Sequence, residues 1–152
     1  MGHALRYRLF KVGRMPPTLR DAASGALFSA EGVSLKIRGR SVKLPALRSG
    51  RSVKLSAGSL VLRPDRMLAS VGKYVLVDSE LVSGEGPYRV GFAADGVTLS
   101  VDIAALFPDG AGSAEYHWDV ELDPKILAAL PSEPTSVHLP EQTAALVRNT
   151  LG

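Results

Sequence analysis

The chain alternates apolar and polar residues with a period of two in many short stretches, which glycine or proline separates from one another. The clearest example is EYHWDVELD, residues 115–123, where Tyr116, Trp118, Val120 and Leu122 take every second place. Successive side chains of a strand point to opposite faces of a sheet, so this pattern predicts strands with one buried face. We therefore expect a mainly β fold, an antiparallel barrel or sandwich of short strands with a few short helices.

The length of 152 residues suits one domain with its own core. We expect a single β-rich domain over residues 1–152. Its parts are an N-terminal arm with a short helix over 1–25, a β core over 26–122, and short helices with a tail over 123–152.

Three short helices are predicted. The first begins after Pro17 and ends near Gly25. Asp123 caps the second, which has proline at its first position and ends at Pro131. The third is the C-terminal run EQTAALVRNTL, residues 141–151, which needs packing against the body to persist.

Two segments resemble each other and both predict hairpins. FSAEGVSLKI, residues 28–37, places Glu31–Gly32 at a turn, and FAADGVTLSV, residues 92–101, does the same with Asp95–Gly96. Their similarity suggests a pseudo-repeat of two β modules, although any acid–glycine hairpin beside an alternating strand gives such a match.

The hexapeptide GRSVKL occurs at residues 39–44 and again at 50–55. The spacing fits two consecutive antiparallel strands joined by a turn through Pro45 to Gly50, because a solenoid would need further copies. With alternation applied to each strand, the predicted core residues of this region are Val33, Leu35, Ile37, Val42, Leu44, Val53 and Leu55. In the second half of the chain they are Tyr88, Val90, Phe92, Leu99, Val101, Tyr116 and Trp118.

Charge is distributed unevenly along the chain. Residues 1–76 hold fifteen Lys and Arg against three acids, whereas residues 77–152 hold three against twelve. Between Gly32 and Pro64 there are eight basic residues and no acid. Alternation predicts that Lys36, Arg38, Lys43 and Lys54 form one exposed cationic patch. The candidate anion-binding residues are Lys36, Arg38, Arg40, Lys43, Arg51 and Lys54.

Two explanations of these basic residues are open. The first is an anionic partner: an acidic protein surface, a lipid headgroup or a polyanion. The opposite charges of the two halves would also allow homo-oligomers. The second is that acidic strands lie alongside and neutralise the patch. No aromatic residue occurs from Ser29 to Lys73, so base stacking and sequence-specific nucleic-acid binding are not expected.

Motifs for catalysis or cofactor binding are not found in the sequence, which contains no phosphate-binding loop, dinucleotide fingerprint or nucleophile elbow. His117 and Asp119 share a strand face and His138 follows, but the same face carries further acids, so we interpret it as a solvated face without a metal. We expect no cofactor.

The chain has no cysteine, no apolar run long enough to span a membrane and no secretory signal pattern, so we expect a cytoplasmic location. The sequence favours a non-enzymatic binding module whose basic sheet face takes an anionic partner. The alternative is a β-barrel carrier, or an enzyme acting on a small apolar ligand, with an internal cavity.

Overall fold

The computed structural model describes residues 15–44 and 47–151, and the side chains of residues 47–51 lie outside this description. The arm before residue 15, including His3, and the start of the expected turn at Pro45 also lie outside it. No helix in the described ranges is long and apolar enough to cross a membrane.

Within the described residues, nine antiparallel strands form a nearly closed barrel, which confirms the predicted fold class. The strands are β1 (Phe28–Leu44), β2 (Leu47–Arg63), β3 (Arg66–Val71), β4 (Tyr74–Glu80), β5 (Val82–Ser83), β6 (Tyr88–Ala93), β7 (Gly96–Asp102), β8 (Ala111–Asp119) and β9 (Thr135–Ser136). Their order in the sheet is β4-β3-β2-β1-β8-β7-β6-β9-β5. The two ends of this order are consecutive in the chain. Near them, the amide of His138 donates a hydrogen bond of 2.9 Å to Ser79 Oγ, which links the segment after β9 to β4.

The helices are α1 (Pro17–Ala23), α2 (Ile103–Leu106), α3 (Pro124–Ala129) and α4 (Thr143–Leu151). The three helices predicted from the sequence are present, and Asp123 caps α3 by accepting a hydrogen bond from the Ile126 amide. The sequence pattern did not predict α2, a single turn that Asp102 caps.

The expected hairpin tip at Glu31–Gly32 is wrong. Residues 28–37 lie within the continuous strand β1, and Gly32, with φ of 66°, forms a bulge where the pairing with β2 shifts between Ala30 and Val33. A bulge of this kind and a tight turn both need a residue with positive φ, so an acid–glycine pair is compatible with either.

The matching segment, residues 92–101, does form the predicted hairpin, between β6 and β7. Ala93 pairs with Gly96, so the loop is Ala94–Asp95, one residue earlier than expected. The two similar segments therefore have different conformations.

The main core fills the inside of the barrel. The predicted core residues of β7 and β8 are confirmed, since Leu99, Tyr116 and Trp118 have no exposed surface. The Tyr116 and Trp118 rings stack with centroids 6.2 Å apart, and Trp118 Nε1 donates a hydrogen bond of 3.1 Å to the Ser70 carbonyl. Of the remaining predicted residues in this half, Tyr88, Val90 and Val101 are buried and Phe92 is half-buried.

Val53 and Leu55 were predicted to be buried, and this prediction is wrong: they are 59% and 70% exposed. The reason is the continuity of β2. Leu60 and Leu62 point into the barrel, and the pairing with β1 shows no shift from Gly58 to Leu47. Alternation along one unbroken strand then gives odd-numbered residues such as 53 and 55 to the outer face.

A second apolar cluster lies on the outside of the barrel. Leu19 of α1 and Met15 pack against Val61 of β2 and Leu68 of β3. The bulge residue Glu31 anchors this helix, because its Oε2 accepts a hydrogen bond of 3.0 Å from the Met15 amide. The outer face of the sheet is therefore covered by α1 at one end of β2.

Replacing Trp118 with alanine should lower the free energy of unfolding by about 3–5 kcal/mol, since the substitution leaves a cavity and removes the hydrogen bond from Nε1 to the Ser70 carbonyl. Urea unfolding followed by far-UV circular dichroism measures this. Tryptophan fluorescence is not suitable, because Trp118 is the only tryptophan and the variant has none. Asp119→Ala, at the next and exposed position, is the control and should change stability little. A loss under about 1 kcal/mol for Trp118→Ala would contradict the assigned packing.

Stability should also fall at alkaline pH. Burial raises the pKa of Tyr116 to about 12, partly opposed by its 2.6 Å hydrogen bond with Thr150 Oγ1. The folded state thus keeps a proton that the unfolded chain releases near pH 10, so stability is complete below pH 10 and is lost as pH rises towards 12. The loss amounts to about 2–3 kcal/mol. Tyr116→Phe should show a shallower decline in urea unfolding above pH 10, and an unchanged decline would refute the assignment.

Candidate functional site

Four of the six candidate basic residues lie exposed on the outer face of β1: Lys36, Arg38, Arg40 and Lys43. We call these four residues the basic stripe. The first three occupy alternate positions, while Lys43 would point inward if the alternation continued unbroken. Strand geometry gives the stripe a length of about 23 Å.

A bulge at Ser41 keeps Lys43 on the outer face. Ser41 has φ of 51°, and the pairing of β1 with β8 shifts between Arg40 and Lys43. Gly112 of β8 makes this bulge possible, because a Cβ there would lie 2.3 Å from the Ser41 carbonyl oxygen. The bulge also turns Val42 inward, where it is buried.

Lys54 does not join the stripe. Lys54 is the register partner of the inward-facing Ile37, so it belongs to the opposite face of β2 from Val53 and Leu55. The prediction that Lys54 shares a patch with Lys36 is therefore wrong, for the same reason of strand continuity. Arg51 is the register partner of Arg40, and its side chain lies outside the described part of the chain.

At one end of the stripe, Glu115 and His117 of β8 lie opposite the cations. Glu115 is the register partner of Arg38, and His117 is that of Lys36. Together with Asp95 and Thr98, these four residues line a groove of about 260 Å³. This end of the stripe carries charges of both signs.

His117 is held in a defined orientation in that groove. Its Nδ1 lies 2.8 Å from Thr98 Oγ1, at the next strand over. Gly96 leaves room for the imidazole, since a Cβ at that position would lie 2.9 Å from Nε2. The alternation in EYHWDVELD placed His117 on the polar face, but the pairing with Thr98 depends on strand order, which the sequence does not give.

At the other end of the stripe, the β8 partners are uncharged. Arg40 pairs with Ser113 and Lys43 with Ala111. On the β2 side, Arg40 pairs with Arg51 and Lys43 with Arg48, so basic residue types occupy both members of two cross-strand pairs. An acidic residue of β8 is therefore in register with Arg38, but none is in register with Arg40 or Lys43.

In the described part of the chain, buried side chains line the barrel interior, which bears on the alternative of an internal ligand cavity. Large side chains with at most 1% exposure occupy the positions facing the barrel axis, among them Leu35, Leu60, Leu76, Leu99, Tyr116 and Trp118. In addition, α4 packs Val147 and Leu151 into the same core.

Comparison with known proteins does not add a family. The chain matches no protein-family model, and neither the curated proteins nor the solved structures include a significant match to it.

Among the described residues, no group of three or more His, Cys, Asp or Glu side chains is arranged to hold a metal ion. We predict that added zinc or iron leaves the thermal unfolding temperature unchanged, because a ligand that binds only the native state must raise it. Thermal melts with and without the metal, followed by circular dichroism, measure this. A saturable rise that His117→Ala abolishes would overturn the prediction.

Proposed function

We propose that this barrel is a binding module, without catalytic activity, whose basic stripe engages an anionic partner through charge. The observation that carries the proposal is the outer face of β1, where Lys36, Arg38, Arg40 and Lys43 are all exposed. Four exposed cations along one strand form a surface that can attract phosphate, sulfate or carboxylate groups.

The uncharged end of the stripe is its stronger half. Around Arg40 and Lys43 the β8 partners carry no negative charge, so an external anion does not compete with a carboxylate of the neighbouring strand. Lys36 and Arg38 share their groove with Glu115 and Asp95, which reduce the local positive potential. We infer that an anion is held chiefly by Arg40 and Lys43.

Base recognition is not part of the proposal. Phe, Tyr and Trp are absent from residues 29–73 of the sequence, so no aromatic residue for base stacking lies between residues 36 and 43, where the stripe runs. Recognition of this kind depends on charge and geometry rather than on the order of bases.

Retention on immobilised heparin tests the proposal. The unmodified protein should bind at low ionic strength and elute as salt screens the contacts. Arg40→Glu with Lys43→Glu should elute at markedly lower salt or pass through unretained. Lys36→Glu with Arg38→Glu should have a smaller effect, because these residues already face carboxylates.

A matched control separates the stripe from net charge. Lys73 and Lys125 are exposed on other parts of the barrel, and reversing both to Glu changes the formal charge by the same amount. This control should elute close to the unmodified protein, and circular dichroism should show that every variant is folded. If Arg40→Glu with Lys43→Glu elutes like this control, or if the unmodified protein is not retained at low salt, the basic stripe has no role in anion binding.

A further inference from the structure

Two aliphatic side chains stand exposed beside the basic stripe. Val53 and Leu55 on β2 are 59% and 70% exposed. Val53 is the register partner of Arg38, and Leu55 is that of Lys36. Each exposed apolar residue is therefore directly opposite a cation on the neighbouring strand, on the same outer face.

An apolar side chain and a cationic side chain line the same groove. Leu55 and Lys36 both line a groove of about 270 Å³, together with His117 and Asp119, and it lies next to the one that contains Asp95. A polyanion such as heparin offers charge but no apolar surface, so it leaves Val53 and Leu55 in water. A partner that uses the whole face must supply anionic groups and a hydrocarbon phase a few ångströms apart.

The surface of an anionic bilayer supplies both. Its headgroups attract juxtaposed Lys and Arg, and the boundary between headgroups and acyl chains takes up aliphatic side chains. An acidic protein surface fits less well, because lysine is depleted at protein interfaces and Val and Leu are under-represented among their energetically dominant residues. The residues that contribute most binding energy at protein interfaces are usually Trp, Tyr and Arg in desolvated pockets.

We propose that the outer face of the β1–β2 hairpin docks on anionic phospholipid membranes, with Val53 and Leu55 entering the interface between the headgroups that the basic stripe binds. This inference rests on the proposed function, since it names the anionic partner of the same stripe. It adds an apolar contribution that a purely electrostatic site lacks.

Co-sedimentation with vesicles tests the inference. The vesicles are phosphatidylcholine alone or phosphatidylcholine with about a third phosphatidylserine. The protein should bind the anionic vesicles and not the neutral ones. Val53→Thr with Leu55→Thr, which keeps strand-forming residues, should weaken binding to the anionic vesicles about tenfold. The same variant should elute from heparin at the salt concentration of the unmodified protein.

A control variant tests whether exposed apolar residues elsewhere on the surface also contribute to vesicle binding. Tyr74 and Val82 are 58% and 53% exposed and lie outside the β1–β2 hairpin. Tyr74→Thr with Val82→Thr should bind anionic vesicles like the unmodified protein.

The outcomes separate this inference from the proposed function. Retention on heparin without vesicle binding would overturn the membrane inference and leave a polyanion or an acidic protein as the partner. Vesicle binding that the Val53 and Leu55 substitutions do not weaken would also overturn it. If Arg40→Glu with Lys43→Glu changes neither heparin nor vesicle binding, the proposed function itself fails.

Discussion

The antiparallel pairing of β1 with β2 is the interaction on which the barrel and its candidate surface both depend. Inward residues of the two strands, such as Leu35 and Leu60, are buried in the main core and hold the register. Because side chains alternate, a slip of one residue would exchange the buried and exposed sets. The burial of the core residues therefore also determines that Lys36, Arg38 and Leu55 meet solvent on the other face.

The sequence was sufficient for the fold class and for much of the core, because clean alternation in segments such as EYHWDVELD depends only on local geometry. It was insufficient at Gly32, where positive φ serves a bulge rather than a turn, and at Val53, where β2 continues through what resembled two separate strands. Lys54 was misassigned by the same error. Contacts between distant residues, such as that of His117 with Thr98, need the strand order and were not predicted.

The two ends of the basic stripe have different neighbours on β8: one end lies beside a carboxylate and the other beside uncharged residues. Placing Glu115 in register with Arg38 relieves repulsion within the sheet. Farther along β1, the bulge at Ser41 exposes Lys43 and leaves it beside an uncharged strand.

The central claim is that the outer face of β1, and not the overall positive charge, binds anions. Backbone amide chemical shifts during titration with a short heparin oligosaccharide test it most directly, since they report the position of binding residue by residue. The account predicts that the largest shift changes fall on residues 36–43 of β1 and are greatest near Arg40 and Lys43. Changes centred on Lys73, Arg89 or Lys125, or spread evenly over all exposed basic residues, would contradict it.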